Sequence, residues 1–123
     1  MRNYRNLEVW KIGREINKKV YLIPSGFPKR EMFSLVDQMR RASISVISNM
    51  GEGCAADSNK EFIRYLRMSL GSVRELECQF YAALDVEYIG KEKFDGIMEE
   101  LDKLSKKLWR YIRYLKEEGK DGK

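Results

Sequence analysis

Between Met32 and Gly53, apolar or small residues return at alternating steps of four and three: Met32, Val36, Met39, Ser43, Val46, Met50 and Gly53. Those steps stay on one side of a helix, whereas a half-buried strand would alternate at every second residue, so the stretch predicts an α-helix with one core-facing stripe. The opposite stripe, Ser34, Gln38, Arg41, Ser45, Ser48 and Glu52, is polar and poorer in Lys and Glu than an ordinary solvated face. Two readings stay open. It faces water, or another helix or protomer approaches it closely; Ile44, off the core stripe, favours the second.

The same period recurs in three more segments. Helix one is expected over about 6–23, with Val9, Ile12, Gly13, Ile16, Val20 and Ile23 inward and Lys11, Arg14 and Lys18 outward. Pro24, Ser25, Gly26, Phe27 and Pro28 end it, because two prolines and a glycine so close together cannot continue a helix. Helix two is expected over 29–55. Ser58 and Glu61 have the spacing of a capping box and open helix three over 59–88, with the stripe Phe62, Leu66, Ser69, Val73, Leu76, Phe80 and Ala83. Gly90 marks the next turn. Helix four, over 91–117, repeats Phe94, Ile97, Leu101, Leu104, Leu108, Tyr111 and Leu115 and leads into a flexible polar tail, 119–123. No segment alternates like a strand.

Four one-sided helices joined by short turns bury their stripes best as an antiparallel up-down-up-down four-helix bundle, an all-α single domain over 1–118. Trp10, Tyr21, Ile44, Met68, Trp109 and Ile112 lie outside the stripes. Some widen the core, and the rest predict self-association, with Ile44 and Met68 at the interface.

Gln38, Arg40, Arg41 and Ala42, then Ser45, Asn49, Glu52 and Gly53, then Phe62, Leu66, Gly71, Ser72, Glu75, Leu76 and Glu77 form an ordered set of words across nearly the whole chain. The set resembles the Q-x-R-R-A, S-I-x-x-N-x-x-E-G, F-x-x-x-L and G-S-x-x-E-L-E pattern of the four-helix-bundle proteins encoded within intervening sequences of bacterial 23S rRNA genes. Where that family usually has alanine before its Glu-Gly pair, this chain has Gly51, at roughly 1 kcal/mol of helix propensity. Similar bundles serve as accessory proteins of diversity-generating retroelements. The resemblance therefore implies a homopentameric ring that engages nucleic acid and a reverse transcriptase, and it makes Gln38, Arg40, Arg41, Asn49, Glu52 and Gly53 the defining positions. A bundle can need these residues for helix ends and protomer placement rather than for a ligand. Asp37, four residues before Arg41, offers a surface ion pair.

The chain has no histidine, which removes the commonest general base and the Glu-x-x-His ligand sets of di-iron bundles. Carboxylates such as Glu75 with Glu77, or Glu99 with Glu100 and Asp102, read as solvated or paired surface. No enzymatic activity, metal or cofactor is expected. No apolar run reaches the roughly 20 residues of a membrane span, and the charged start lacks an apolar signal region, so the cytoplasm is the expected location. Cys54 and Cys78, far apart and without C-x-x-C spacing, read as small buried hydrophobes.

Residues 1–30 hold eight Lys and Arg against two Glu, while the remainder of the chain sums to −1. Such asymmetry is an electrostatic footprint for a phosphate backbone. Lys60, Arg64, Arg67 and Arg74 line one side of helix three with Tyr81 beyond, and Arg67 has no carboxylate three or four residues away. Lys103, Lys106, Arg110 and Arg113 align on helix four, but Glu99, Asp102 and Glu117 are ready-made partners for Lys103, Lys106 and Arg113. The expected contacts are thus Lys11, Arg14, Lys18, Lys60, Arg64, Arg67 and Arg74. Without a base-reading motif they would hold structured RNA or DNA mainly by its phosphates. A protein scaffold, for a reverse transcriptase for example, is the other class. One continuous patch from helices one and three favours the first; scattered, neutralised charges favour the second.

Overall fold

Each apolar stripe becomes one helix in the computed structural model, which describes residues 2–121 of the chain and the side chains of 2–119. The helices are α1 (Glu8–Leu22), α2 (Leu35–Gly53), α3 (Asn59–Asp85) and α4 (Lys91–Asp121), with short 3-10 turns at Tyr4–Asn6, Ile23–Gly26 and Lys29–Glu31 and no strand among the described residues. Neighbours in sequence are neighbours in space, α4 closes back onto α1, and α1 and α3 face each other diagonally across the core. Cross-helix pairs give the directions. Ser43 Oγ donates to Asn17 Oδ1 at 2.8 Å, Ser72 Oγ donates to Ser45 Oγ at 2.9 Å, and Phe62 and Phe94 meet Tyr111 and Tyr81 edge-on. Lys107 and Lys19 of one helix pair with Glu8 and Glu100 of another at 3.3 and 2.5 Å. Every adjacent pair runs antiparallel.

The whole α3 stripe is buried, and on α4 only Tyr111 is half-buried. Ile112 also sinks fully into the core, so it widens the α4 stripe and is not left over. Met32 departs from the expected stripe and is exposed. The reason is the start of α2, at Leu35 instead of Lys29. Ser34, at φ −126° and ψ −98°, breaks the helical path, and the Glu31 carboxylate accepts hydrogen bonds from Ser34 Oγ and Tyr88 OH, both at 2.7 Å. The Ser34 bond, then the Tyr88 bond, holds the Glu31 carboxyl below the usual carboxylate range.

The α3–α4 turn spans 86–90 and so includes Gly90, but its left-handed residue is Glu87. Glu87 has φ 62°, its N–H bonds Leu84 O at 3.0 Å, and the Tyr88 N–H bonds Ala83 O at 2.9 Å. This is the paired closure that ends a helix through one left-handed residue, carried here by a glutamate at the conformational cost glycine would avoid. Of the expected tail, Gly119 to Asp121 continue α4, and 122–123 lie outside the described residues. Cys54 is buried and its thiol is pushed up in pKa by desolvation, whereas Cys78 is exposed, contrary to the expectation of two buried cysteines. Cys78 sits on the outer face of α3, where a small thiol meets water without loss of packing.

The small polar face of α2 divides. Ser45 is half-buried beneath α3, where it accepts from Ser72 and from Asn49 Nδ2 at 3.0 Å; Ser69 Oγ also reaches Val46 O at 2.6 Å. A Cβ on Gly53 would stand 2.6 Å from Tyr65 Cβ. The close neighbour is thus a helix of the same chain, and Gln38, Arg41, Ser48 and Glu52 remain exposed.

Candidate nucleic-acid interface

Antiparallel packing puts the start of α1, the end of α2, the start of α3 and the end of α4 in one half of the bundle. Residues 2–15, 46–71 and 104–119 there carry twelve Lys and Arg against seven Asp and Glu, while 16–45 and 72–103 in the other half carry ten against eleven. Charge is therefore segregated along the bundle axis: α3 is basic at its start and α4 at its end, and antiparallel packing brings those two ends together.

Of the concave surfaces in the basic half, two are lined by the expected contacts. Between α3 and α4 a groove of about 580 Å³ runs over Ile63 and Leu115, with Lys60, Arg64, Arg67 and Lys116 along its rim. Arg64 is tied to Glu61 at 2.6 Å, and that hydrogen bond raises the guanidinium's pKa further. Among the described residues Arg67 has no carboxylate partner, and it lies over the Trp109 ring, 5.5 Å from its centroid. At the start of α1 a second concavity of about 550 Å³ is lined by Tyr4, Arg5, Trp10, Lys11, Arg14 and Glu15.

The expected contacts separate accordingly. Lys60, Arg64 and Arg67 come together, and Lys11 and Arg14 come together on a different side of the bundle, since α1 and α3 are diagonal. Lys18, paired with Glu15 at 3.4 Å, and Arg74, paired with Glu77 at 2.7 Å, sit beyond the basic half. Helices one and three do not form one patch within a protomer. Sequence reasoning missed Lys116, Arg5 and the ring beneath Arg67, because only tertiary packing brings Trp109 beside α3. It also missed Arg2, whose guanidinium lies 4.2 Å from the Phe62 ring centroid and donates to Asn59 Oδ1, while Asn59 Nδ2 donates to Leu115 O at 3.2 Å and Glu118 at 3.0 Å. That cluster closes the end of the groove. Among the described residues, no group of carboxylates and cysteines could hold a metal ion, and no helix is long and apolar enough to cross a membrane.

The signature residues line neither concavity. Arg40 is half-buried, donates from Nη2 to Tyr21 O at 3.0 Å and lies 4.7 Å from the Tyr21 ring centroid, so it places a cation on the carbonyl end of α1. Arg41 meets Asp37 at 2.9 Å, the expected surface pair. Asn49 bonds Ser45 O at 2.9 Å, Gly53 admits Tyr65, and Gln38 and Glu52 are exposed. The model of the 23S rRNA-intervening sequence proteins matches residues 5–110. The chain belongs to that family. Among solved structures, a protein of unknown function from the S23 ribosomal protein family of Bacteroides thetaiotaomicron VPI-5482 is similar, at 23% identity and a TM-score of 0.76 over 85% of this chain and 97% of that one. At that identity the likeness is one of fold. No curated protein matches the chain.

For this intervening-sequence protein, Arg40→Ala is expected to cost about 1–2 kcal/mol, by loss of a charged hydrogen bond to a helix end, and to leave nucleic-acid affinity within about twofold. Urea unfolding and anisotropy titration measure the two; an affinity loss at full stability would move Arg40 from scaffold to site.

Proposed function

We propose that the protein is a non-enzymatic bundle that assembles with copies of itself, five in a ring, and binds structured RNA or DNA through phosphate contacts with little sequence preference. The observation that supports this reading is the segregation of charge: twelve cations against seven carboxylates in one half of the bundle, which contains the α3–α4 groove. A protomer offers few contacts on any one side, and a ring repeats them, so binding is a matter of avidity. Ile44 and Met68 are 40% and 45% exposed and supply apolar surface for self-association.

The test is retardation of a structured RNA and of a duplex DNA at about 50 mM salt, where phosphate contacts are strengthened. No shift with either would overturn the reading in favour of a protein scaffold, such as one for a reverse transcriptase. Light scattering tests assembly: several multiples of 14.5 kDa are expected at micromolar concentration. Ile44→Glu or Met68→Glu should reduce that mass while helical circular dichroism persists, since neither side chain is in the core. A monomer mass for the unaltered chain would remove the ring.

A further inference from the structure

The concavity at the start of α1 differs in kind from the α3–α4 groove. Its walls are two aromatic rings, Tyr4 and Trp10, with centroids 5.0 Å apart in an edge-to-face arrangement. A guanidinium lies over each: Arg5 is 4.7 Å from the Tyr4 centroid and Arg14 is 5.5 Å from that of Trp10. Arg5, Lys11 and Arg14 are exposed and have no carboxylate partner among the described residues, and Glu15, the acid of the lining, is engaged by Lys18. Its volume, about 550 Å³, lies within the range of small-ligand sites.

Phosphate contacts alone would need the cations and not the rings. Planar guanidinium–aromatic pairs offer flat surfaces on which a base can stack, and unpaired bases are held by such surfaces beside cations that take the phosphates. A paired base inside a duplex cannot present its face to this pocket. We infer that the α1-start pocket binds an unpaired nucleotide, its base stacking on the Arg14 guanidinium that lies over Trp10 while Arg5 and Lys11 meet the phosphate. This deepens the nucleic-acid reading and rests on it: the preferred ligand is RNA or DNA carrying a single-stranded segment.

The probe is a fluorescein-labelled uridine decamer set against a fully paired duplex of the same length. Intrinsic fluorescence separates Trp10 from Trp109 by comparison of the unaltered chain with Trp10→Phe. The decamer is expected to quench a component that Trp10→Phe lacks, whereas the duplex leaves that component unchanged. Arg14→Lys, which keeps the charge but not the plane, should lower the ratio of single-strand to duplex affinity about fivefold, in line with base stacking on cationic and aromatic planes. Trp10 also packs against the core, and the exposed Arg14 keeps the test independent of folding. Duplex binding without Trp10-dependent quenching by the decamer overturns this inference and leaves the phosphate reading standing; absence of binding to both overturns the two together. A polyglutamate peptide that quenches Trp10 and displaces the decamer equally well also overturns it, because the pocket would then respond to charge alone.

Discussion

Raising salt from about 50 to 200 mM is expected to weaken duplex binding by at least about a hundredfold, since the four phosphate contacts of one protomer already give a logarithmic slope near −3.6 and every further copy that engages steepens it. The four cations are those at the α3–α4 groove, Lys60, Arg64, Arg67 and Lys116. They are not equivalent. Arg64 shares its charge with Glu61 at 2.6 Å, whereas Arg67 faces only the Trp109 ring, so Arg67 releases the larger part of its charge to a phosphate. Lys60→Glu with Arg67→Glu should lower affinity at 50 mM salt more than tenfold and flatten the slope by about two for each engaged protomer, one contact for each reversed residue. Arg74→Glu should change affinity less than about threefold, because Arg74 is held by Glu77 at 2.7 Å outside the basic half. Titrations against several unrelated sequences should show the same loss for each. Equal effects of the Arg74 and the Lys60–Arg67 reversals would mean that net charge, and no particular surface, carries the binding.

The largest expected effect on stability comes from one methyl group. A Cβ at Gly53 would stand 2.6 Å from Tyr65 Cβ and 3.0 Å from Phe62 Cδ1, and neither the Tyr65 Cβ nor the fully buried Phe62 ring is the far end of a flexible chain. Gly53→Ala must therefore push α2 from α3 and is expected to cost about 1–3 kcal/mol, the usual range for overpacking, even though alanine is the better helix former. That corresponds to a Tm lower by roughly 3–12 °C for a domain of this size. Gly51→Ala is the contrasting case. Its Cβ would meet only Tyr4 Cγ, at 4.0 Å, so the gain of up to about 1 kcal/mol in helix propensity should appear as a higher Tm. Thermal unfolding by circular dichroism compares the two variants directly; a Gly53→Ala protein as stable as the unaltered chain would show that the α2–α3 contact yields.

Gly53 also shows how far the chain could be read without its structure. It stood out as the close of a core stripe and as part of a family signature, but the ring that requires it belongs to Tyr65, which lies off the α3 stripe. Arg40 is similar: its place on the edge of the α2 stripe was legible, while its hydrogen bond to Tyr21 O was not, because helix periodicity carries no information about the partner helix. Arg41 with Asp37 was legible, since both residues lie on one helix four positions apart.

The sequence by itself determined four helices, their inward stripes, the Ser58 cap and the antiparallel order, because the 3.6-residue period, helix caps and short turns are local consequences of backbone geometry and side-chain type. Tertiary structure decided what depends on residues far apart in the chain. The start of α2 waits on Tyr88 OH reaching Glu31, Ser45 is covered by Ser72, and Arg67 gains the Trp109 ring. The basic half is likewise a product of packing. Its cations come from α1 and the segment before it, from α3 and from α4, and share one end only because the helices alternate in direction, which leaves the α1 and α3 groups on opposite sides of the same core.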